Sequence, residues 1–339
     1  MKIEEIKKWY IQHKKIFFAS IELTQNCNFN CKHCYCANKR DVSLSLNEWR
    51  NIIDKLHSMG CLFLNFTGGE IFAFKHFHDV YMYAKNKGFI IDLLTNGSLI
   101  TNADISLLKK YPPNNIAITI YGANESDYLN FTGDGNNFNK VMKTLYLLKE
   151  NNIQFVLRTV ATKTLKSSLL SREFEKIAEK FNTSFKYDPI VFPKTTGNTD
   201  PLKECLDTSE IVDLEKSNYL RANAWKAIFK KKEAKYCWTC YAGVSSLAID
   251  FQGNAYVCGL YRNHPISILN NDINIVLQHL QKIHCKHKEI VNKNECSICK
   301  NRNVCKWCPA YSYIYNQNDY EKIDFFCELA EKRAKYFGK

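Results

Sequence analysis

The chain has 339 residues, 45% apolar and 24% charged, with a formal net charge of +13 and 15 cysteines. That length supports a full hydrophobic core and suggests two domains, or one large domain with an appendage. No run approaches the roughly 18 uninterrupted apolar residues of a membrane span. The charged start, MKIEEIKKWYIQHKK, lacks the apolar block of a signal peptide, so a cytoplasmic location is expected. Cysteines there stay reduced, and short spacings between them point to metal rather than to disulfides. The positive charge comes mainly from scattered lysines, a solvated surface in the plain reading. The alternative is attraction to an acidic partner, a peptide leader or a nucleic acid, and no arginine-rich tract favours nucleic acid.

Residues 1–15 read as a charged N-terminal helical segment. From 16 to 195, β-rich runs alternate with helical stretches. The runs are FFASIELT (17–24), CLFLNFT (61–67), FIIDLLT (89–95), NIAITIY (115–121), IQFVLRTV (153–160) and SFKYDPIV (184–191). Helices are expected at 45–59, 76–87, 102–110, 137–151 and 170–181. The first carries Ser45 with Glu48 three residues on and stops at Gly60. Another presents Phe138, Val141, Leu145 and Leu148 on one face. Six strands alternating with helices predict an α/β fold, a partial (β/α)6 TIM-like barrel with its chemistry at the C-terminal ends of the strands. FPKTTGNTDPL (192–202) reads as a boundary. A bridging segment (196–235) and a small, irregular, cysteine-rich domain (236–339) follow.

Cys27, Cys31 and Cys34, spaced C-x3-C-x2-C, follow the first strand directly, with Tyr35 next. Three thiolates on one loop suit three irons of a [4Fe–4S] cluster and leave the fourth iron open for a substrate or cofactor. A structural zinc would want four ligands, typically as two separated pairs; His33 would complete such a set only in a cramped position. Cys36 reads as a spare packing residue.

This triad with its adjacent aromatic resembles the signature of the radical S-adenosylmethionine (SAM) superfamily, and the resemblance runs through the whole barrel. It implies that Tyr35 lines the adenine side. FTGGE (66–70) resembles the family's Gly-Gly-Glu motif, with Gly68 and Gly69 bringing backbone close to SAM and Glu70 pairing with its ammonium. Ile71 stands where proline is common. LLTNG (93–97) resembles the ribose-lining segment through Thr95 and Asn96, although an ordinary Asn-Gly turn reads the same. Thr119 occupies the place of a hydroxyl on the SAM carboxylate. Lys143 and Arg158 are basic candidates for that carboxylate; each also has a plain reading, as a solvated helix residue and a structural ion pair. The implied chemistry is reductive cleavage of SAM to a 5′-deoxyadenosyl radical that abstracts hydrogen from an unreactive carbon.

In the C-terminal part, Cys240, Gly253 and Cys258 give C-x12-G-x4-C, and Cys296, Cys299, Cys305 and Cys308 give C-x2-C-x5-C-x2-C, with Cys327 alone later. This resembles the SPASM extension, which has three residues rather than two before the position of Cys308. By that analogy Cys237, Cys240, Cys258 and Cys308 hold auxiliary cluster I, and Cys296, Cys299, Cys305 and Cys327 hold auxiliary cluster II, making three [4Fe–4S] clusters. Zinc sites built from the CxxC pairs are the competitor. Cys61 reads as a core residue, and Cys205 and Cys285 as more exposed ones.

ITIYGANESDYLNFTGDGNNF (118–138) resembles maturases of ribosomally made peptides. The expected reaction is therefore a thioether or C–C cross-link in a peptide or small protein. Only about 16 residues precede the first strand, so a separate leader-binding protein, or direct contact through lysines, is expected. An electron donor such as flavodoxin or ferredoxin is implied. The alternatives are formylglycine formation as in anaerobic sulfatase maturation, oxidative decarboxylation in tetrapyrrole synthesis, and a non-catalytic iron–sulfur or zinc protein.

Overall fold

The computed structural model describes residues 3–36, 43–230 and 240–338. The six expected strands form as β1 (Phe18–Thr24), β2 (Phe63–Gly68), β3 (Ile90–Thr95), β4 (Asn115–Thr119), β5 (Val156–Val160) and β6 (Phe185–Asp188). All are parallel and neighbour one another in chain order. The N-terminal helix α1 (Ile3–Gln12) precedes them, and α2 (Leu46–Ser58), α3 (Phe77–Asn86) and α4 (Asn102–Lys110) connect β1 to β4. Ile21, Leu64, Phe66, Ile91, Leu93, Ile116, Ile118 and Leu157 are buried in the core between sheet and helices. The Ser45–Glu48 capping box forms, and α2 buries Trp49, Ile52, Ile53 and Leu56 along one face.

Three departures from the sequence expectation matter for the site. A helix absent from the expectation, α5 (Glu125–Thr132), follows β4, ahead of α6 (Asn136–Glu150). Asn124 caps its start by accepting from the Asp127 N–H, and Gly133 ends it at φ +88°. The helix expected at 170–181 is instead α7 (Lys166–Leu170) and α8 (Glu173–Lys180), broken at Arg172, whose φ is +59°. The bridging segment is α9 (Thr208–Ser217) and α10 (Tyr219–Phe229), divided at Asn218, whose side chain caps α10; residues 231–235 lie outside the described residues.

The cysteine-rich part is joined to the sheet rather than hung from it. β7 (Ser246–Ile249) pairs parallel with β1, from Phe18 opposite Ser246 to Ile21 opposite Ile249. β8 (Asn254–Tyr256) and β9 (Ile266–Ser267) continue antiparallel, giving one nine-stranded sheet. Among the described residues, the α-helices α11 (Ile273–Val291), α12 (Pro309–Asn316) and α13 (Asp324–Phe337) follow.

A second tie is electrostatic. Arg333 on α13 donates from Nε (3.0 Å) and Nη2 (2.6 Å) to the two carboxylate oxygens of Glu215 on α9, and from Nη1 to the Val304 carbonyl at 3.3 Å. Both side chains are almost wholly buried, and the guanidinium lies 4.3 Å from the Trp225 ring centroid. Removing one partner strands a buried charge, whereas removing both does not. Arg333→Met is therefore expected to destabilise the protein by about 3–5 kcal/mol. Glu215→Leu/Arg333→Met should recover most of that loss, as read by anaerobic urea unfolding. Equal losses in both variants would show that the pair itself is not the source.

Candidate active site

The loop after β1 is shaped by its own short-range bonds. The Asn26 N–H donates to Thr24 Oγ1 at 3.0 Å, the Phe29 N–H to Cys27 Sγ at 3.4 Å, and the Cys34 N–H to the Cys31 carbonyl at 3.1 Å. α5 braces the loop from outside. The Asn30 and Lys32 N–H groups donate to the Thr132 and Phe131 carbonyls, each at 3.2 Å. Phe29 is buried edge-on against Tyr121 and Tyr128.

The end of β2 closes the other side. Gly69 N–H donates to the Thr24 carbonyl at 2.7 Å and Glu70 N–H to the Asn26 carbonyl at 2.8 Å. A Cβ on Gly68 would sit 2.2 Å from the Thr24 oxygen, and one on Gly69 2.2 Å from the Asn26 oxygen. These glycines are thus required by the approach of β2 to the cysteine loop itself.

Cys27, Cys31 and Cys34 line a cavity of about 230 Å³, whose remaining wall includes Tyr35, Gly68, Gly69, Thr95, Asn96 and Thr119. Nine residues singled out in the sequence, from four strand ends, are therefore brought together. Asn96 reaches toward the thiols, its Nδ2 lying 3.0 Å from Asn28 Oδ1 and 3.8 Å from Cys27 Sγ.

Glu70, Lys143 and Arg158 do not line that cavity. The Glu70 carboxylate is fully buried behind the wall and accepts from Thr95 Oγ1 (2.5 Å), the Asn96 N–H (2.7 Å) and the Phe72 N–H (3.1 Å). Burial raises its pKa, against the pull of those three bonds. These bonds make Glu70 a brace that fixes the β3 end. Lys143 is exposed on α6, whose inner face carries Val141, Thr144, Leu145 and Leu148. Thr144, the next residue, donates to the Gly97 carbonyl at 2.6 Å. Arg158 is exposed on β5, two residues before the cavity-lining Val160 and so on the same strand face.

Further residues in the cavity wall include His33, Cys36 and Tyr121. His33 stacks on Phe131 at 5.1 Å, and burial lowers its pKa to about 4. Tyr121 stacks on the same ring at 5.6 Å, and burial together with the nearby thiols pushes its pKa well up. Cys36 faces the Gly68 carbonyl at 3.8 Å, in the cavity wall rather than in the core. Tyr121 stands two residues beyond Thr119, so strand alternation alone would have pointed to it.

The C-terminal thiols fall into two groups. Burial raises the pKa of Cys258, and that of Cys308 to about 12, with Cys240 adding to both and Cys258 adding to Cys308. Cys296, Cys299 and Cys305 line a second, small cavity with Arg302 and Trp307. The charge of Cys299 reaches both Cys305 and Cys327. Cys308 thus keeps company with Cys240 and Cys258, not with its sequence neighbour Cys305. Cys237 lies outside the described residues. Among the described residues, no three His, Cys, Asp or Glu side chains converge as ligands of a single ion. Cys61 is buried and Cys285 exposed, as expected, and Cys205 is half-buried.

Residues 21–166 match the model of the radical SAM superfamily, which starts on β1 and spans the cysteine loop and the strand ends around it. The matched part is a radical SAM domain, which marks the chain as an enzyme, and homologues with this domain bind SAM and a [4Fe–4S] cluster. Among its relatives, the AdoMet-dependent heme synthase of Methanosarcina barkeri is 23% identical over 338 residues, covering 90% of this chain and 94% of that protein. The antilisterial bacteriocin subtilosin biosynthesis protein AlbA of Bacillus subtilis is 31% identical over 138 residues, 40% of this chain and 31% of that protein. In fold, the chain resembles Streptococcus suis SuiB bound to precursor peptide SuiA, with a TM-score of 0.72 at 14% identity, over 95% of this chain and 79% of that one. No helix among the described residues is long and apolar enough to cross a membrane.

Changing any one of Cys27, Cys31 or Cys34 to Ala is expected to remove one cluster's worth of iron and the cleavage of SAM, whereas Cys36→Ala keeps both. Iron analysis with 5′-deoxyadenosine quantification tests this; loss of iron in the Cys36 variant would make it a ligand.

Proposed function

We propose that this enzyme modifies a peptide or small protein, joining a cysteine sulfur or a side-chain carbon to an unactivated carbon. The observation that carries this reading is the sorting of the C-terminal thiols into two groups on a unit that shares β1 with the SAM site. The donor sets fit iron–sulfur clusters: three thiols on one loop beside an open cavity, and two further soft-ligand groups. Cys27, Cys31 and Cys34 would hold the first cluster. Cys240, Cys258 and Cys308, with Cys237, would hold the second, and Cys296, Cys299, Cys305 and Cys327 the third. When bound, the first cluster supplies an electron to the SAM sulfonium, and the other two accept the electron released on cross-linking.

The chain's own residues position and shield. Gly68 and Gly69 offer backbone beside the thiols, Thr119 a hydroxyl and Asn96 an amide toward SAM. Tyr121, stacked with His33 on Phe131, makes an apolar wall that keeps water from a radical. Likeness to SuiB, which was solved with a precursor peptide, and to AlbA over the barrel half supports a peptide substrate. The electron donor would be a small reducing protein of the flavodoxin or ferredoxin type, and a separate protein would present the leader.

A second reading, oxidative decarboxylation of an iron porphyrin, is favoured by the heme synthase relative, whose likeness spans both halves of the chain. Anaerobically reconstituted enzyme with SAM and dithionite separates the two. A neighbouring-gene peptide that loses two hydrogens, detected by mass spectrometry, would support the maturase. Release of carbon dioxide from iron-coproporphyrin, with the peptide unchanged, would overturn it.

A further inference from the structure

Glu22 lies two residues before Thr24 on β1, at the root of the cysteine loop. Its carboxylate accepts from Arg262 Nη2, and the two side chains are 8% and 14% exposed. Arg262 follows a tight turn in which the Tyr261 N–H donates to the Cys258 carbonyl at 3.1 Å, with Cys258 and Tyr261 bridged. The pair therefore runs from the loop of the first thiol group to the loop of the second.

Its surroundings are built to hold it. The guanidinium carbon lies 4.9 Å from the Tyr256 ring centroid, and the Tyr256 hydroxyl donates to Asp250 Oδ2 at 3.0 Å. Arg262 Nη1 is buried with no hydrogen-bond partner among the described residues. An orphaned charged donor is costly in a protein interior unless something answers it. The buried guanidinium thus stands four residues after Cys258 and is tied to the strand that leads into Cys27.

We infer that Arg262, anchored by Glu22, is a positioning residue that locks the auxiliary cluster I loop to the SAM-cluster loop and sets the charge felt by auxiliary cluster I. The inference rests on the two-auxiliary-cluster reading given above. The lock fixes the path between the two clusters, and the uncompensated N–H edge favours the more negative, reduced form of the auxiliary cluster.

The test uses the full chain carrying Cys27→Ala/Cys31→Ala/Cys34→Ala, reconstituted anaerobically so that only auxiliary clusters remain. Iron content of this background checks the cluster assignment by itself: absence of iron removes the assignment, whatever Arg262 does. In that background, EPR-monitored redox titration is compared for Glu22→Gln, Arg262→Gln, Arg262→Lys and the Glu22→Gln/Arg262→Gln pair. Glu22→Gln is expected to raise the potential of one cluster, because it leaves Arg262 unbalanced, and to leave the other cluster unmoved. Arg262→Gln is expected to lower the same potential or to lose that cluster alone, and Arg262→Lys to stay near the parent. The double variant should return toward the parent potential with a broadened signal, because neutrality is restored and the lock is gone. If Arg262→Gln does not fold, the near-isosteric Glu22→Gln carries the test. Unchanged potentials in Glu22→Gln, or equal shifts of both clusters, would overturn the inference.

Discussion

The close approach of two strand ends governs this site. β2 reaches the loop after β1 through two short bonds, Gly69 to Thr24 and Glu70 to Asn26, and no side chain fits at Gly68 or Gly69. That contact sets where the three thiols stand relative to the strand ends. It also turns Glu70 inward, where its carboxylate binds Thr95 and Asn96 and so aims the Asn96 amide at Cys27. Cavity wall, thiol orientation and third-strand end thus follow from one steric requirement. The motif holds the pocket's frame together while lending only backbone to its surface.

Much of the architecture was legible in the sequence because buried parallel strands leave long apolar runs. The mistakes occurred where local geometry overrides periodicity. Asn152 turns left-handed at φ +55° and delays β5 to Val156, although Ile153 and Phe155 look strand-like. Arg172 breaks a helix whose apolar pattern runs on. α5 went unread because its apolar residues brace a loop instead of forming a regular stripe. Asn124, Asp127 and Gly133 nevertheless spell a start and a stop.

The site was legible to the extent that its residues are defined by spacing. The three cysteines were marked by their spacing, and the two glycines with Thr95, Asn96 and Thr119 by the family resemblance; all line one cavity. Glu70 and Lys143 stand outside the cavity wall, which the sequence does not tell. A buried acceptor and a ligand contact read alike in sequence, and only tertiary packing decides which side of a wall a carboxylate faces. His33, weighed in the sequence only as a zinc ligand, and Tyr121, marked only by strand alternation, line the cavity together. Their importance comes from stacking on Phe131, a residue of the unread helix.

The parallel pairing of β7 with β1 carries a wider consequence. β1 has no free edge in this sheet, since β2 takes one side and β7 the other. A chain ending before Ser246 would expose an apolar parallel edge beside the SAM loop, a ready template for pairing with another molecule. The two halves are thus poor candidates for separation or exchange as modules. Any lineage that swaps the cysteine-rich half must also preserve the register by which its first strand meets Phe18 to Ile21.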